Sequence, residues 1–196
     1  MNFLRWRHYA RGWLFHFFGR TARAAAEYEI AFRHDPQDAQ SARHLAFIAA
    51  QERRYDAALG WYDAALRIAP NDAGTHFNRG YVLQQAGRPA DAVPAFAEAT
   101  RLSPNLDRAW YGMGLAHAAC GEHAKAVVAL MEASRLQPFN GHAFYQLAMA
   151  YHHDGRPEET ARVFKRLVGF DPKLARQLAR DTGRADLAEL LPKLPF

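Results

Sequence analysis

His152, His153 and Asp154 are the run of side chains in this sequence that most invites a metal ion. Imidazole and carboxylate both ligate metals, but neighbouring histidines on one helix point about 100° apart and cannot easily share an ion. No metal site is expected there. The single cysteine, Cys120, excludes a disulfide framework or a Cys-rich zinc site within one chain. Beside Gly121, near a helix end, it reads as a small packing residue. No phosphate-binding loop and no nucleophile elbow occur, and no spacing selects a histidine with a serine or an aspartate. The chain is therefore not expected to be an enzyme or to hold a cofactor. What chemistry it has is that of binding.

The densest binding chemistry lies in residues 1–20, MNFLRWRHYARGWLFHFFGR, with seven aromatic residues, four arginines and no acid. Three readings compete. In the first, the segment is a helix of the first repeat with its apolar residues in the core. Alternatively, Phe3, Trp6, Trp13, Phe17 and Phe18 form a docking surface for a partner protein. In the third reading they are an interfacial membrane anchor, with rings among lipid headgroups and arginines on phosphates. The apolar run WLFHFF is far short of the roughly 20 residues of a membrane span. Arginines also interrupt any signal-peptide core. The formal charge of +5 is compatible with acidic partners, anionic lipid or nucleic acid. Apart from this segment the basic residues are scattered, so nucleic acid is disfavoured.

Stepping outward, prolines recur at Pro36, Pro70, Pro104, Pro138 and Pro172, a constant interval of 34 residues. Other columns keep the same register. Ala24, Ala58, Ala92, Ala126 and Thr160 precede the prolines by 12 residues. Tyr28, Tyr62, Phe96, Leu130 and Phe164 precede them by eight, and Gly12, Ala46, Gly80, Gly114 and Ala148 by 24. A small residue lets two helices approach, and a ring four residues further on lies on the same face and fills the gap. Glycine closes the first helix of a pair (Gly19, Gly87, Gly121, Gly155) and proline ends the second.

Trp110, Met113, Gly114, Ala126, Leu130, Ala133 and Pro138, and again Phe144, Leu147, Ala148, Tyr151, Phe164 and Pro172, resemble the pattern of the tetratricopeptide repeat (TPR) family. The resemblance covers roughly residues 5–174. It implies an all-α fold, a right-handed α-solenoid of five TPR helix pairs plus a C-terminal capping helix. The expected organisation is a single array over 1–196, with repeats at about 5–38, 39–72, 73–106, 107–140 and 141–174 and a capping segment at 175–196. The first repeat departs most, with Arg11 where leucine is usual. The turn QERRY replaces a glycine turn and is expected to depart from the geometry of the others. Pro94 is expected to kink its helix. A short last helix is expected at 184–191, with Leu187, Leu190 and Leu191 apolar.

In this family partners bind along a concave groove lined by the first helix of each pair. The resemblance places Arg43, Phe77, Asn78, Tyr81, Arg108, Tyr111, Tyr145 and Met149 on that face. The implied groove is aromatic and polar, with almost no carboxylates. Tyrosine, phenylalanine and arginine stand where a carboxylate clamp would carry lysine, and Asn78 is alone in its column, so neither a clamp nor an asparagine ladder is implied. The expected function is a non-enzymatic scaffold or assembly factor that holds an extended or helical segment of another protein in the groove. The alternative is a peripheral membrane assembly factor docking through residues 1–20 to a membrane protein or anionic lipid. Self-association through the aromatic first helix fits equally. The expected location is cytoplasmic, peripheral to the membrane in the alternative.

Overall fold

The structure, a computed structural model, describes residues 3–191. The last residues of the expected capping segment, 192–196, lie outside the described residues. Twelve helices follow one another among the described residues, with no strand: α1 Phe3–Phe17, α2 Thr21–His34, α3 Ala39–Gln51, α4 Tyr55–Ile68, α5 Ala73–Gln85, α6 Pro89–Leu102, α7 Asp107–Ala119, α8 His123–Leu136, α9 Gly141–His153, α10 Pro157–Phe170, α11 Pro172–Thr182 and α12 Ala185–Glu189. They fall into two compact units, the first ending at Leu102 and the second starting at Ser103.

In the first unit α1 packs on α2, α3 on α4 and α5 on α6, and each pair rests on the next. In the second unit α7 and α8 form a pair, as do α9 and α10, and α11 packs across both α9 and α10. The repeat columns are the core. Every member of the column Ala24, Ala58, Ala92, Ala126, Thr160 is fully buried, and so are Tyr28, Tyr62, Phe96, Leu130 and Phe164 to within 2%. Burying one such ring or leucine contributes about 1.5–3 kcal/mol. The small column sets the distance between helices. A methyl group on Gly80 would lie 2.9 Å from the Phe96 ring, and one on Gly12 would lie 2.9 Å from Tyr28. That contact shows that α1 is packed as a true first helix, although Arg11 replaces leucine.

The helix starts follow the same register. Asp38 accepts from the amides of Gln40 and Ser41, Asp72 from those of Gly74 and Thr75, and Asn140 from that of Ala143. Each satisfies amides that the helix itself leaves unpaired. Leu106 interrupts the column, and α7 begins with no side-chain cap.

Three local expectations need correction. The QERRY turn has the geometry of its glycine counterparts. Arg53 sits at φ 58°, and the Arg53 and Arg54 amides bond to Ala50 and Ala49 as those of Gly87 and Arg88 bond to Gln84 and Leu83. The register of the flanking helices overrides the residue's own preference. Cys120 is exposed rather than packed. At the C-terminal end Leu187 is fully buried on α11, but Leu190 is 41% exposed. Gly183, at φ 63°, turns the chain between α11 and α12.

Candidate functional site

α1 presents two different faces. The inner face carries Gly12 and His8, both buried, with Tyr9 and Phe15 packed on the core cluster of Ala24, Tyr28, Leu45 and Ile48. His8 Nδ1 donates to Glu27 Oε2 at 2.6 Å, Arg11 pairs with the same carboxylate at 3.0 Å, and Arg5 reaches Asp38 at 3.4 Å. The Tyr9 hydroxyl donates to His44 Nε2 at 3.1 Å, and the His44 ring lies parallel to that of Tyr28 at 4.6 Å. Burial, with His16 and Arg43 adding, holds the His44 pKa down to about 4, so the ring is neutral and Nε2 can accept.

The outer face is aromatic and solvent-facing. Phe3 is 68% exposed, Trp6 and Trp13 53% each, Phe17 72% and Phe18 67%. Trp13 stacks on Phe17 with centroids 5.7 Å apart, and Phe3 faces Trp6 at 6.5 Å. All five expected docking residues therefore lie on the surface, while Tyr9, Phe15 and the His8 ring turn inward. Leu4 and Leu14, also exposed, extend this surface and were not anticipated. Gly12 was the available signal: its column fixes which face meets α2, and the rings at Phe3, Trp6, Trp13 and Phe17 fall opposite. A cleft of about 450 Å³ lined by Leu14, Phe15, Phe18 and Arg20 opens at the end of this helix.

The eight residues expected to line a groove divide between the units. In the first, Arg43 Nη1 donates to Asp72 Oδ2 at 2.5 Å, Phe77 is half-buried beside Phe96, Asn78 is half-buried, and Tyr81 is 51% exposed. Phe47, 43% exposed on α3, joins Tyr81 as an accessible ring. In the second, Arg108 is exposed, and Tyr111 packs against the cluster of Ala126, Val127 and Leu130. The Tyr145 hydroxyl donates to Asp181 Oδ2 at 2.5 Å, and Tyr145 and Met149 both pack against the core beneath α11. Burial, then Asp181, pushes the Tyr145 pKa up to about 12. Asp72 and Asp181 correct the expectation that this face has almost no carboxylates. Asp72 caps α5 and Asp181 lies on α11, each outside the helix of the residue it engages.

The histidines do not converge on an ion. His123 and His153 stack at 5.0 Å and His152 lies across His153 at 5.3 Å, and no group of three His, Cys, Asp or Glu suited to a metal occurs among the described residues. No helix among them is long and apolar enough to cross a membrane.

A family model described as tetratricopeptide repeat matches residues 9–73 and 77–140, and a second of the same description matches 142–174. No curated protein matches the chain in sequence. Among solved structures, YrrB, described as a TPR protein with an unusual peptide-binding site, superimposes with a TM-score of 0.79 at 20% identity, over 88% of this chain and 90% of its own. A MamA protein superimposes over the whole of both chains with a TM-score of 0.80 at 18% identity. MamA from Desulfovibrio magneticus RS-1, residue 41 to the end, does so with 0.78 at 19%, over 92% of this chain and 98% of that one. At these identities the likeness is one of fold. With most of its length matched by the family's own pattern and its repeat columns forming the core, the chain belongs to the tetratricopeptide repeat family.

Proposed function

We propose that this protein is a non-enzymatic assembly factor that attaches through α1 to a membrane surface and holds a partner protein on its repeats. The observation that carries the reading is the outer face of α1. Four aromatic side chains of α1, Phe3, Trp6, Trp13 and Phe17, and Phe18 in the turn that follows are each more than half exposed. At about 150–250 Å² for a whole aromatic side chain, they expose several hundred Å² of apolar surface. A patch of that size on a soluble chain marks an interaction site. The location that follows is cytoplasmic and peripheral to the membrane. A second reading, a partner segment bound on the first-helix face, is favoured by the accessible rings Phe47 and Tyr81 beside Asn78. By the 34-residue register Trp13 shares the column of Phe47 and Tyr81, so this second surface continues the same first-helix face onto α3 and α5.

The test separates membrane and soluble fractions of the native host expressing the tagged full chain or its W6A/W13A/F17A variant. The full chain is expected in the membrane fraction and the variant in the soluble one. A full chain found wholly in the soluble fraction refutes attachment through α1. Loss of a soluble partner in N78A/Y81A, with membrane attachment kept, supports the second surface.

A further inference from the structure

We infer that the occupant of the outer face of α1 is an anionic phospholipid bilayer, in whose headgroup layer the helix lies flat. This rests on the membrane attachment proposed above and names the surface.

Four observations favour lipid over a protein receptor. At 100° per residue, Trp13, Trp6, Phe17, Ala10, Phe3 and Leu14 follow one another around the helix within an arc of about 100°. A helix lying flat would thus bring two tryptophans and two phenylalanines to one depth, the arrangement of interfacial helices.

The charge is also one-sided. Arg7 flanks the stripe and Arg20 and Arg23 follow it, with no acidic residue before Glu27. The acids near α1, Glu27, Asp35 and Asp38, are engaged on its inner face by His8, Arg11 and Arg5. The outward field is therefore cationic, and each arginine near an anionic surface strengthens attachment about fivefold.

The cleft at the helix end then matches a phospholipid's two parts. Leu14, Phe15 and Phe18 give apolar walls, and Arg20 sets an exposed guanidinium beside them. Chain below and phosphate above would satisfy both. Finally, the Gly12–Tyr28 contact and the Glu27 ion pairs hold α1 to the repeat. The helix is already formed, so binding carries no cost of folding it.

The test is cosedimentation of the full chain with vesicles of equal parts phosphatidylcholine and phosphatidylglycerol, against phosphatidylcholine alone. Binding is expected to the anionic vesicles, to fall at least tenfold in W6A/W13A/F17A, and to weaken several-fold when salt rises from about 0.1 M to about 1 M. All three substituted rings are surface residues, and an unchanged far-UV circular dichroism spectrum certifies the fold. No binding to anionic vesicles overturns the inference, and so does binding that the variant retains. Native membranes treated with protease separate the two proposals. If such membranes lose the chain and pure vesicles never bind it, attachment stands and the lipid assignment falls. If untreated membranes do not bind it either, both fall.

Discussion

Gly114→Ala and Gly60→Ala are one chemical change on two helices, and the structure gives them opposite signs. Replacing a glycine inside a helix by alanine favours folding by about 0.8–1 kcal/mol on propensity alone. On the exposed face of α4 a methyl at Gly60 meets nothing within 4 Å, so G60A should gain about 0.5–1 kcal/mol. At Gly114 the new Cβ would lie 2.5 Å from Leu130 Cγ and 2.9 Å from Cδ2. Leu130 is fully buried among Ala126, Val127, Leu147 and Ala150 and has nowhere to turn. Either α7 retreats from α8 or Leu130 leaves its rotamer, and at so close an approach overpacking costs about 2–3 kcal/mol, the upper part of the usual range. After the propensity gain, G114A should lose about 1–2 kcal/mol. At about 2–4 °C per kcal/mol for a chain of this size, Tm should fall by about 2–8 °C in G114A and rise by about 1–4 °C in G60A. Thermal and urea unfolding followed by circular dichroism reads both. A G114A protein as stable as its parent would refute the claim that Leu130 fixes the approach of the two helices.

Two further outcomes are expected. R53G should stabilise the first unit by about 0.5–1 kcal/mol, because a left-handed arginine costs about 1–2 kcal/mol and glycine's freedom in the unfolded chain returns part of that. R53A keeps the strained conformation and should not gain, and equal urea midpoints for R53G and the parent would contradict the account. His44 makes stability pH-dependent: its pKa is about 4 when folded and near 6.5 when unfolded, so the unfolded chain takes up the proton first. Its contribution is complete above pH 6.5 and is lost as pH falls from there through about 4. After discounting for partial exposure it amounts to about 1–2 kcal/mol. H44Q should flatten the profile over that window, and an H44Q protein with the parent's profile would place the titration elsewhere.

The 34-residue register made the helix pairs and the buried columns legible, because each is a packing or backbone requirement that a narrow set of residue types meets. Where two side chains meet across helices the register is silent. Arg43 with Asp72 and Tyr145 with Asp181 lie 29 and 36 residues apart, and neither spacing belongs to the repeat. Arg53 was misread because a glycine preference was treated as a requirement, while the hydrogen bonds of the turn impose φ 58° on whatever residue stands there. The rings of α1 were countable from the sequence, but their direction depends on Gly12 meeting Tyr28. Of the three uses weighed for the segment, that contact leaves the two that need an exposed aromatic face.

Within each unit the helices pack on neighbours a short way along the chain, so the contacts close only small loops. Folding can start at any helix pair and spread outward, which favours speed over all-or-none assembly. It also confines damage. A cavity opened beneath Phe96 loosens α5, α6 and their immediate neighbours, and leaves α9 and α10 with their own contacts. A 34-residue cassette could then be gained or lost in evolution without redesigning the layers that remain.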